Sequence, residues 1–188
     1  MHTDTLLTER GSVLLPIARA AISSALGRAQ QADEQAVWLR EQGACFVTLT
    51  QHGALRGCIG TLEAHRPLRL DVQENAVAAA FRDPRFMPLT REEFDDIRVE
   101  VSVLSPAEAL AVVSEEHALS ILRPGIDGVV FEYGHYRSTF LPQVWEQLPE
   151  PTEFLAHLKR KAGLSMDFWS ESVRLSRYTV SKWKESVA

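Results

Sequence analysis

An arginine and a cysteine lie two residues apart in the short apolar stretch 55–62, and they have the clearest capacity for chemistry. The Cys58 thiol could act as a nucleophile or bind a metal as a thiolate, and an adjacent Arg56 would stabilise its negative charge. Arg56 could also hold an anionic ligand through two parallel hydrogen bonds. Glycine in a strand marks a bulge or a close approach to the backbone, so Gly57 and Gly60 favour a ligand that reaches the main chain.

The same residues have structural interpretations that the sequence leaves open. Cysteine is among the residue types most often buried, so Cys58 could simply belong to the core, as we expect for Cys45. No histidine has an assigned place beside Cys58, and Arg56 could pair with Glu100 rather than with a ligand. The chain contains no Cys-x-x-Cys or His-x-x-x-His spacing, so no metal site is predicted.

A β-hairpin is expected to carry the arginine and the cysteine. β-Branched and aromatic residues predict a strand over 44–50, and a short loop containing glycine returns the chain. The simplest register places Val47 opposite Cys58 and Leu49 opposite Arg56. Arg56 and Cys58 would then share one face, with Cys45 diagonal to Cys58 in a geometry unsuited to a disulfide.

Two further elements are expected to face this hairpin. A helix over about 68–82 carries Asp71, Asn75 and Arg82 on one polar side, and Asn75 would bond the hairpin or a ligand because asparagine is mildly unfavourable mid-helix. Residues 97–104 alternate between apolar and polar types and predict a half-buried strand with Glu100 and Ser102 on its polar face. The predicted ligand-binding residues are Gly57, Gly60, Thr61, Asn75, Glu100 and Ser102.

The remaining elements alternate between helices and strands. Asp83 and Arg85 are expected to form a local pair in a proline turn. A helix over 12–28 is expected to be capped by Ser12, with Pro16 in its first turn, and a short helix over 91–96 follows a Thr90–Glu93 capping box. Helices are also predicted over 114–122, capped by Ser114, and over 151–163. Strands are predicted over 128–133, 136–141 and 172–180, and a polar tail follows the last of them. Because the clearest connections are hairpins, we predict an α+β fold with a mixed or antiparallel sheet and flanking helices.

Composition narrows the class of protein. The 188 residues suit a single domain over 1–188, with room for two subdomains. A formal net charge of -5 argues against a nucleic-acid-binding protein. Neither a secretory leader nor an apolar run of membrane-spanning length is present, so we expect no membrane association and a cytoplasmic location. Two cysteines make no disulfide framework, which is consistent with a reducing compartment.

Several segments keep a fixed order along the chain: Phe46-Val47-Thr48-Leu49, Leu55-Arg56-Gly57-Cys58-Ile59-Gly60-Thr61, Glu74-Asn75-Ala76, Ala79-Ala80-Phe81-Arg82-Asp83-Pro84-Arg85-Phe86, Val99-Glu100-Val101-Ser102-Val103-Leu104 and Phe140-Leu141-Pro142-Gln143-Val144. Together they resemble the AMMECR domain family, whose bacterial and archaeal members are called AmmeMemoRadiSam system protein A. The resemblance covers about residues 44–145, and Leu62 departs from it where relatives often carry phenylalanine.

The resemblance implies an α+β fold with a larger lobe, a smaller lobe and a cleft between them. It also implies association with a Memo-like protein and a radical S-adenosylmethionine enzyme. It names no reaction and no cofactor.

Three functions are compatible with the sequence. The first is an enzyme that uses Cys58 in covalent or redox chemistry on a small molecule or protein, with Arg56 orienting an anionic substrate. The second is a non-catalytic subunit that docks onto the two implied partners and binds a ligand or peptide. The third, a nucleic-acid-binding or translation-linked factor, is disfavoured by the acidic charge.

Overall fold

The computed structural model describes residues 2–186, with side chains described from residue 9 onward. The chain forms two compact units, one comprising Met1–Leu104 and Ser181–Ala188 and the other Ser105–Val180. Elements are numbered along the chain. In the sheet of each unit, an inner strand pairs antiparallel with the strands on both sides of it, which together with the helices confirms the predicted α+β class.

The first unit is an antiparallel sheet packed against two helices. Its strands lie in the order β2-β1-β4-β9, and β3 adds to β1. The elements are α1 His2–Ala25, β1 Gln42–Gln51, β2 Ala54–Gly60, β3 Arg66–Pro67, α2 Leu68–Phe81, β4 Ile97–Leu104 and β9 Val180–Lys184. Short 3-10 turns at Val37–Arg40 and Glu93–Asp95 complete it.

The core of this unit follows from the alternation of its strands. Cys45, Val47 and Leu49 of β1 are fully buried, and with Val99 and Val101 of β4 they pack against the apolar sides of α1 and α2. Each such aliphatic side chain contributes about 1.5–3 kcal/mol by leaving water. The odd-numbered residues of β1 therefore face the helices, and the even-numbered residues face away from them.

The hairpin register differs from the expected one because β2 contains a bulge. Thr50 pairs with Leu55, but Leu49 pairs with Gly57, so the ladder shifts where Arg56 adds an extra residue. Thr48, and not Val47, consequently lies opposite Cys58. The prediction that Val47 faces Cys58 was wrong by one residue, and so was the expectation that Leu49 faces Arg56.

The first helix is longer than predicted. It begins at His2, so Ser12 lies inside it, where its hydroxyl donates to the Glu9 carbonyl at 2.7 Å. The predicted Ser12 cap was therefore wrong, as was the placement of Pro16 in the first turn, since Pro16 also lies within the helix. The predicted end is confirmed at Gly27, whose φ of 71° suits a glycine that terminates a helix.

The second unit is a four-stranded sheet with two helices. Its strands lie in the order β5-β8-β6-β7. The elements are β5 Glu108–Leu110, α3 Glu115–Ile121, β6 Gly128–Tyr133, β7 Tyr136–Phe140, a 3-10 turn Pro142–Glu146, α4 Pro151–Lys161 and β8 Arg174–Tyr178. Its core contains Trp145 stacked on Phe154, with ring centroids 3.7 Å apart. The predicted Ser114 cap is confirmed by a hydrogen bond from the His117 backbone N–H.

The end of the chain differs most from the prediction. The strand expected over 172–180 is present as β8, and a second strand, β9, follows it in the other sheet. The expected polar tail was wrong, because Val180–Lys184 forms β9 beside β4. The backbone N–H of Glu185 then donates to the Val99 carbonyl. Among residues 2–186, no helix is long and apolar enough to cross a membrane.

Candidate functional site

Cys58 lies on β2, an edge strand, and its thiol is partly exposed. The Thr48 hydroxyl donates to the Cys58 sulfur at 3.3 Å from the neighbouring strand. The backbone N–H of Cys58 donates to Asp83 Oδ2 at 2.9 Å, and its carbonyl accepts from Arg85 Nη2 at 3.3 Å. Side chains thus satisfy the backbone groups of Cys58 that β1 leaves unpaired.

The expected pairing of Asp83 with Arg85 is confirmed. Arg85 Nε and Nη2 donate to the two carboxylate oxygens of Asp83 at 2.9 and 2.7 Å. The hydrogen bonds from Arg85 lower the pKa of Asp83, and the N–H of Cys58 lowers it further. The Asp83 carboxylate accepts from the N–H of Cys58, and the Arg85 guanidinium donates to the Cys58 carbonyl, as the backbone of a neighbouring strand would. The pair therefore covers the open edge of β2 at Cys58.

A row of three side chains crosses the sheet on the face that carries Cys58. Thr48 lies between Cys58 of β2 and Glu100 of β4, because it pairs with both residues. Ser102, one step along β4, pairs with Phe46 and is buried. The structure therefore brings Cys58, Thr48 and Glu100 together. Sequence reasoning missed Thr48, because the expected register placed Val47 opposite Cys58.

Among the described residues, the hydrogen-bond partner of the Arg56 guanidinium is Glu93 and not Cys58. Arg56 Nε and Nη2 donate to the two carboxylate oxygens of Glu93 at 2.9 and 3.0 Å. The sequence left open an ion pair between Arg56 and Glu100. Arg56 does form an ion pair, but its partner is Glu93 and not Glu100. Only 12% of the Arg56 side chain is exposed, and its Nη1 is buried without a hydrogen-bond partner among the described residues.

The carboxylate that holds Arg56 is itself positioned by local sequence. The backbone N–H of Thr90 donates to Glu93, and the backbone N–H of Glu93 points to the Thr90 hydroxyl. This is the predicted capping box, although the helix it opens is only the 3-10 turn Glu93–Asp95. The hydrogen bonds from Arg56 lower the pKa of Glu93. Arg56 therefore ties the bulge of β2 to this turn.

The space beside each of the two glycines of β2 is filled by other atoms of the protein. A Cβ on Gly57 would lie 2.1 Å from the backbone oxygen of Ala79, so α2 packs directly on the bulge. A Cβ on Gly60 would lie 2.2 Å from the ring of Phe46. Close approach to the backbone, which the sequence suggested, is present. The groups that make it are a helix and an aromatic ring.

Asn75 and Thr61 belong to a second polar cluster, which lies between the sheet and α2. Its centre is Asp71, which is fully buried and accepts from Arg66 Nε, Thr61 Oγ1 and the N–H of Cys45, each at 2.8 Å. Asn75 donates to the Cys45 carbonyl at 3.1 Å and to Thr61. Sequence reasoning did not assign Asp71 a role, although its position one helical turn before Asn75 was the available signal.

Both cysteines are free, and their environments differ. Cys45 is fully buried, as expected, and burial followed by the charge of Asp71 raises the pKa of its thiol well above the ordinary value. Among residues 2–186, no group of three or more His, Cys, Asp or Glu side chains could hold a metal ion. A cavity of about 440 Å³ in the first unit is lined by α1, α2 and residues 30–34, and contains none of the predicted site residues.

The fold and site define a class: an α+β protein with two antiparallel sheets and a partly exposed cysteine on an edge strand beside an Asp–Arg pair. The chain matches the AMMECR1 family over residues 15–183 and belongs to that family.

Relatives and a solved structure agree with this assignment. The chain is 40% identical to a protein of Methanocaldococcus jannaschii over 185 residues, which covers 96% of this chain and 92% of the relative. It is also 40% identical to a protein of Methanothermobacter thermautotrophicus, with 98% and 99% covered. A crystal structure of an uncharacterized protein from Pyrococcus horikoshii superimposes with a TM-score of 0.76 at 36% identity, covering 95% of this chain and 92% of that one.

Proposed function

We propose that this protein is the binding component of a three-component system with a Memo-like protein and a radical S-adenosylmethionine enzyme. The two partners are proposed from the family resemblance alone. The surface around Cys58, Thr48 and Glu100 receives a small molecule or a peptide segment that the system modifies. The observation that carries a binding role is the ion pair of Arg56 with Glu93, because it occupies the guanidinium that the enzymatic interpretation assigned to an anionic substrate.

Copurification tests the partners. The tagged protein, expressed from its own locus, is expected to retain the Memo-like and the radical enzyme, and a Thr48→Val/Glu100→Gln variant is expected to retain less of them or of the bound ligand. A matched control is Glu9→Gln/Asp33→Asn, which changes exposed side chains away from the cysteine. Recovery of neither partner from cells that express both would contradict the proposal.

A cysteine-dependent enzyme is the second candidate, and one observation favours it. The sulfur of Cys58 accepts from the Thr48 hydroxyl, and the exposed guanidinium of Arg85 lies against the same residue. A reactive thiol needs an electropositive, accessible environment of this kind.

Cellular complementation separates the two candidates. Under the binding proposal, Cys58→Ala keeps most of the function, because no bond to sulfur forms. Under the enzymatic alternative, Cys58→Ala and Cys58→Ser both abolish function while leaving the protein folded. Cys45→Ala serves as the control for loss of a thiol as such.

A further inference from the structure

The second unit contains a groove with an apolar floor and an acidic rim. Its volume is about 540 Å³, and it lies between α3, α4 and residues 166–167. Leu119, Ala156 and Met166 supply the apolar surface, and 38% of Met166 is exposed. Three carboxylates, those of Glu115, Glu116 and Asp167, border it. The groove is built from residues of the second unit, whereas Cys58, Thr48 and Glu100 belong to the first.

Only one of these carboxylates has a cation as its partner. Lys159 is almost completely buried, and its Nζ donates to Glu115 at 2.6 Å. Asp167 accepts from the Ser165 hydroxyl, which lowers the pKa of the aspartate and keeps it charged. Glu116 is exposed and has no hydrogen-bond or ion-pair partner among the residues that the structure describes. The charge of Lys159 also helps to lower the pKa of Asp167, so Glu116 is the rim carboxylate without a partner within the described chain, and three carboxylates share one lysine.

The basic residues nearest along α4 are engaged elsewhere. Lys161 donates to the carbonyl of Thr139, and Arg160 contacts His157. Neither lines the groove. Among the basic residues in the last turn of α4, Lys159 is therefore the one that reaches the rim, where it pairs with Glu115.

We propose that this groove binds a basic amphipathic segment of a partner protein. Apolar side chains of the segment would pack on Leu119, Ala156 and Met166, and a lysine or arginine beside them would meet Glu116 and Asp167. Helical segments dock in apolar grooves in this way, and methionine adapts its shape to such partners. The charge of the rim selects a cationic segment and disfavours a phosphate-bearing or acidic one.

The test uses the full chain and an 18-residue amphipathic helical peptide made of leucine and lysine as the probe, measured by calorimetry at low and high salt. Wild-type protein is expected to bind, and the Glu116→Gln/Asp167→Asn variant to bind about tenfold more weakly, which is the effect of losing about 1.4 kcal/mol. Met166→Ala is expected to weaken binding several-fold at both salt concentrations, because its contribution is apolar.

The matched control is Glu153→Gln/Glu171→Gln, which removes the same total charge from exposed positions outside the groove. Its affinity should stay within about twofold of wild type. An equal loss in the control would show attraction to net charge alone and would overturn the proposal. Equal binding of a peptide with glutamate in place of lysine, or no binding at 1 mM peptide, would also overturn it.

Discussion

The backbone N–H of Cys58 donates to the carboxylate of Asp83 at 2.9 Å, although the two residues are 25 positions apart. Asp83 and Arg85 are close in sequence and pair locally, and together they close the edge of β2. A local turn thereby sets the surroundings of the candidate cysteine. The consequences can be measured without knowledge of the reaction.

Asp83→Asn is expected to destabilise the protein by about 1–2 kcal/mol at neutral pH, because the charged hydrogen bonds to Arg85 and Cys58 weaken. Most of the Arg85 side chain is hydrated, which keeps the value modest. Since folding lowers the pKa of Asp83, its stabilisation is present above about pH 4, the unfolded value, and is lost as the pH falls towards the folded one.

Urea unfolding at pH 7 and at pH 3 measures this effect. The difference between wild type and Asp83→Asn should shrink at the lower pH. Asp95→Asn, which removes an exposed partner of Arg28, should change stability by less than about 0.5 kcal/mol. A difference in stability between wild type and Asp83→Asn that is larger at pH 3 than at pH 7 would contradict the ionised state assigned to Asp83.

The Arg56–Glu93 pair is expected to be structural. A double-mutant cycle with Arg56→Met and Glu93→Gln should give a coupling energy of about 1–2 kcal/mol, because the pair is bidentate and mostly buried. Chemical denaturation of the four proteins measures it. Coupling near zero, together with loss of ligand binding in Arg56→Met, would restore the ligand-clamp interpretation of Arg56.

The glycines of β2 should respond differently to alanine. Gly57→Ala is expected to cost about 3 kcal/mol or to prevent folding, because the new methyl group meets the backbone of α2. Gly60→Ala meets only the Phe46 ring, so Phe46→Ala should restore much of the stability in the double variant. The control is Gly53→Ala, which has open space but a φ of 82° and should cost about 1 kcal/mol.

Thermal unfolding monitored by circular dichroism distinguishes these cases. The packing described here would be contradicted if Phe46→Ala restored the stability of Gly57→Ala. It would also be contradicted if Phe46→Ala failed to restore the stability of Gly60→Ala.

Asp71→Ala is expected to destabilise the protein by about 2–3 kcal/mol, since it leaves the buried N–H of Cys45 without an acceptor and leaves Arg66 with Glu74 as its carboxylate partner. Thiol labelling reports the same change. In wild type, the partly exposed Cys58 should react and Cys45 should not until the protein unfolds, whereas in Asp71→Ala Cys45 should become reactive in folded protein. Asp33→Ala, at an exposed position, should leave both stability and labelling unchanged.

The sequence by itself determined those features that depend on neighbours along the chain. The alternation over 97–104 reproduced β4, and the Thr90–Glu93 capping box, the Ser114 cap and the Asp83–Arg85 pair all formed. Each involves residues at most a few positions apart, so local geometry and side-chain chemistry suffice to specify it. Family membership likewise followed from ordered segments of sequence.

The tertiary structure decided which distant groups meet. One inserted residue at Arg56 shifted the register and moved Thr48 beside Cys58, and a strand reverses its faces when it slips by one position. The partner of Arg56 lies 37 residues away, and the space beside Gly57 is filled by a helix that only folding brings there. No local pattern encodes these contacts, because they depend on how the sheet and α2 pack against one another.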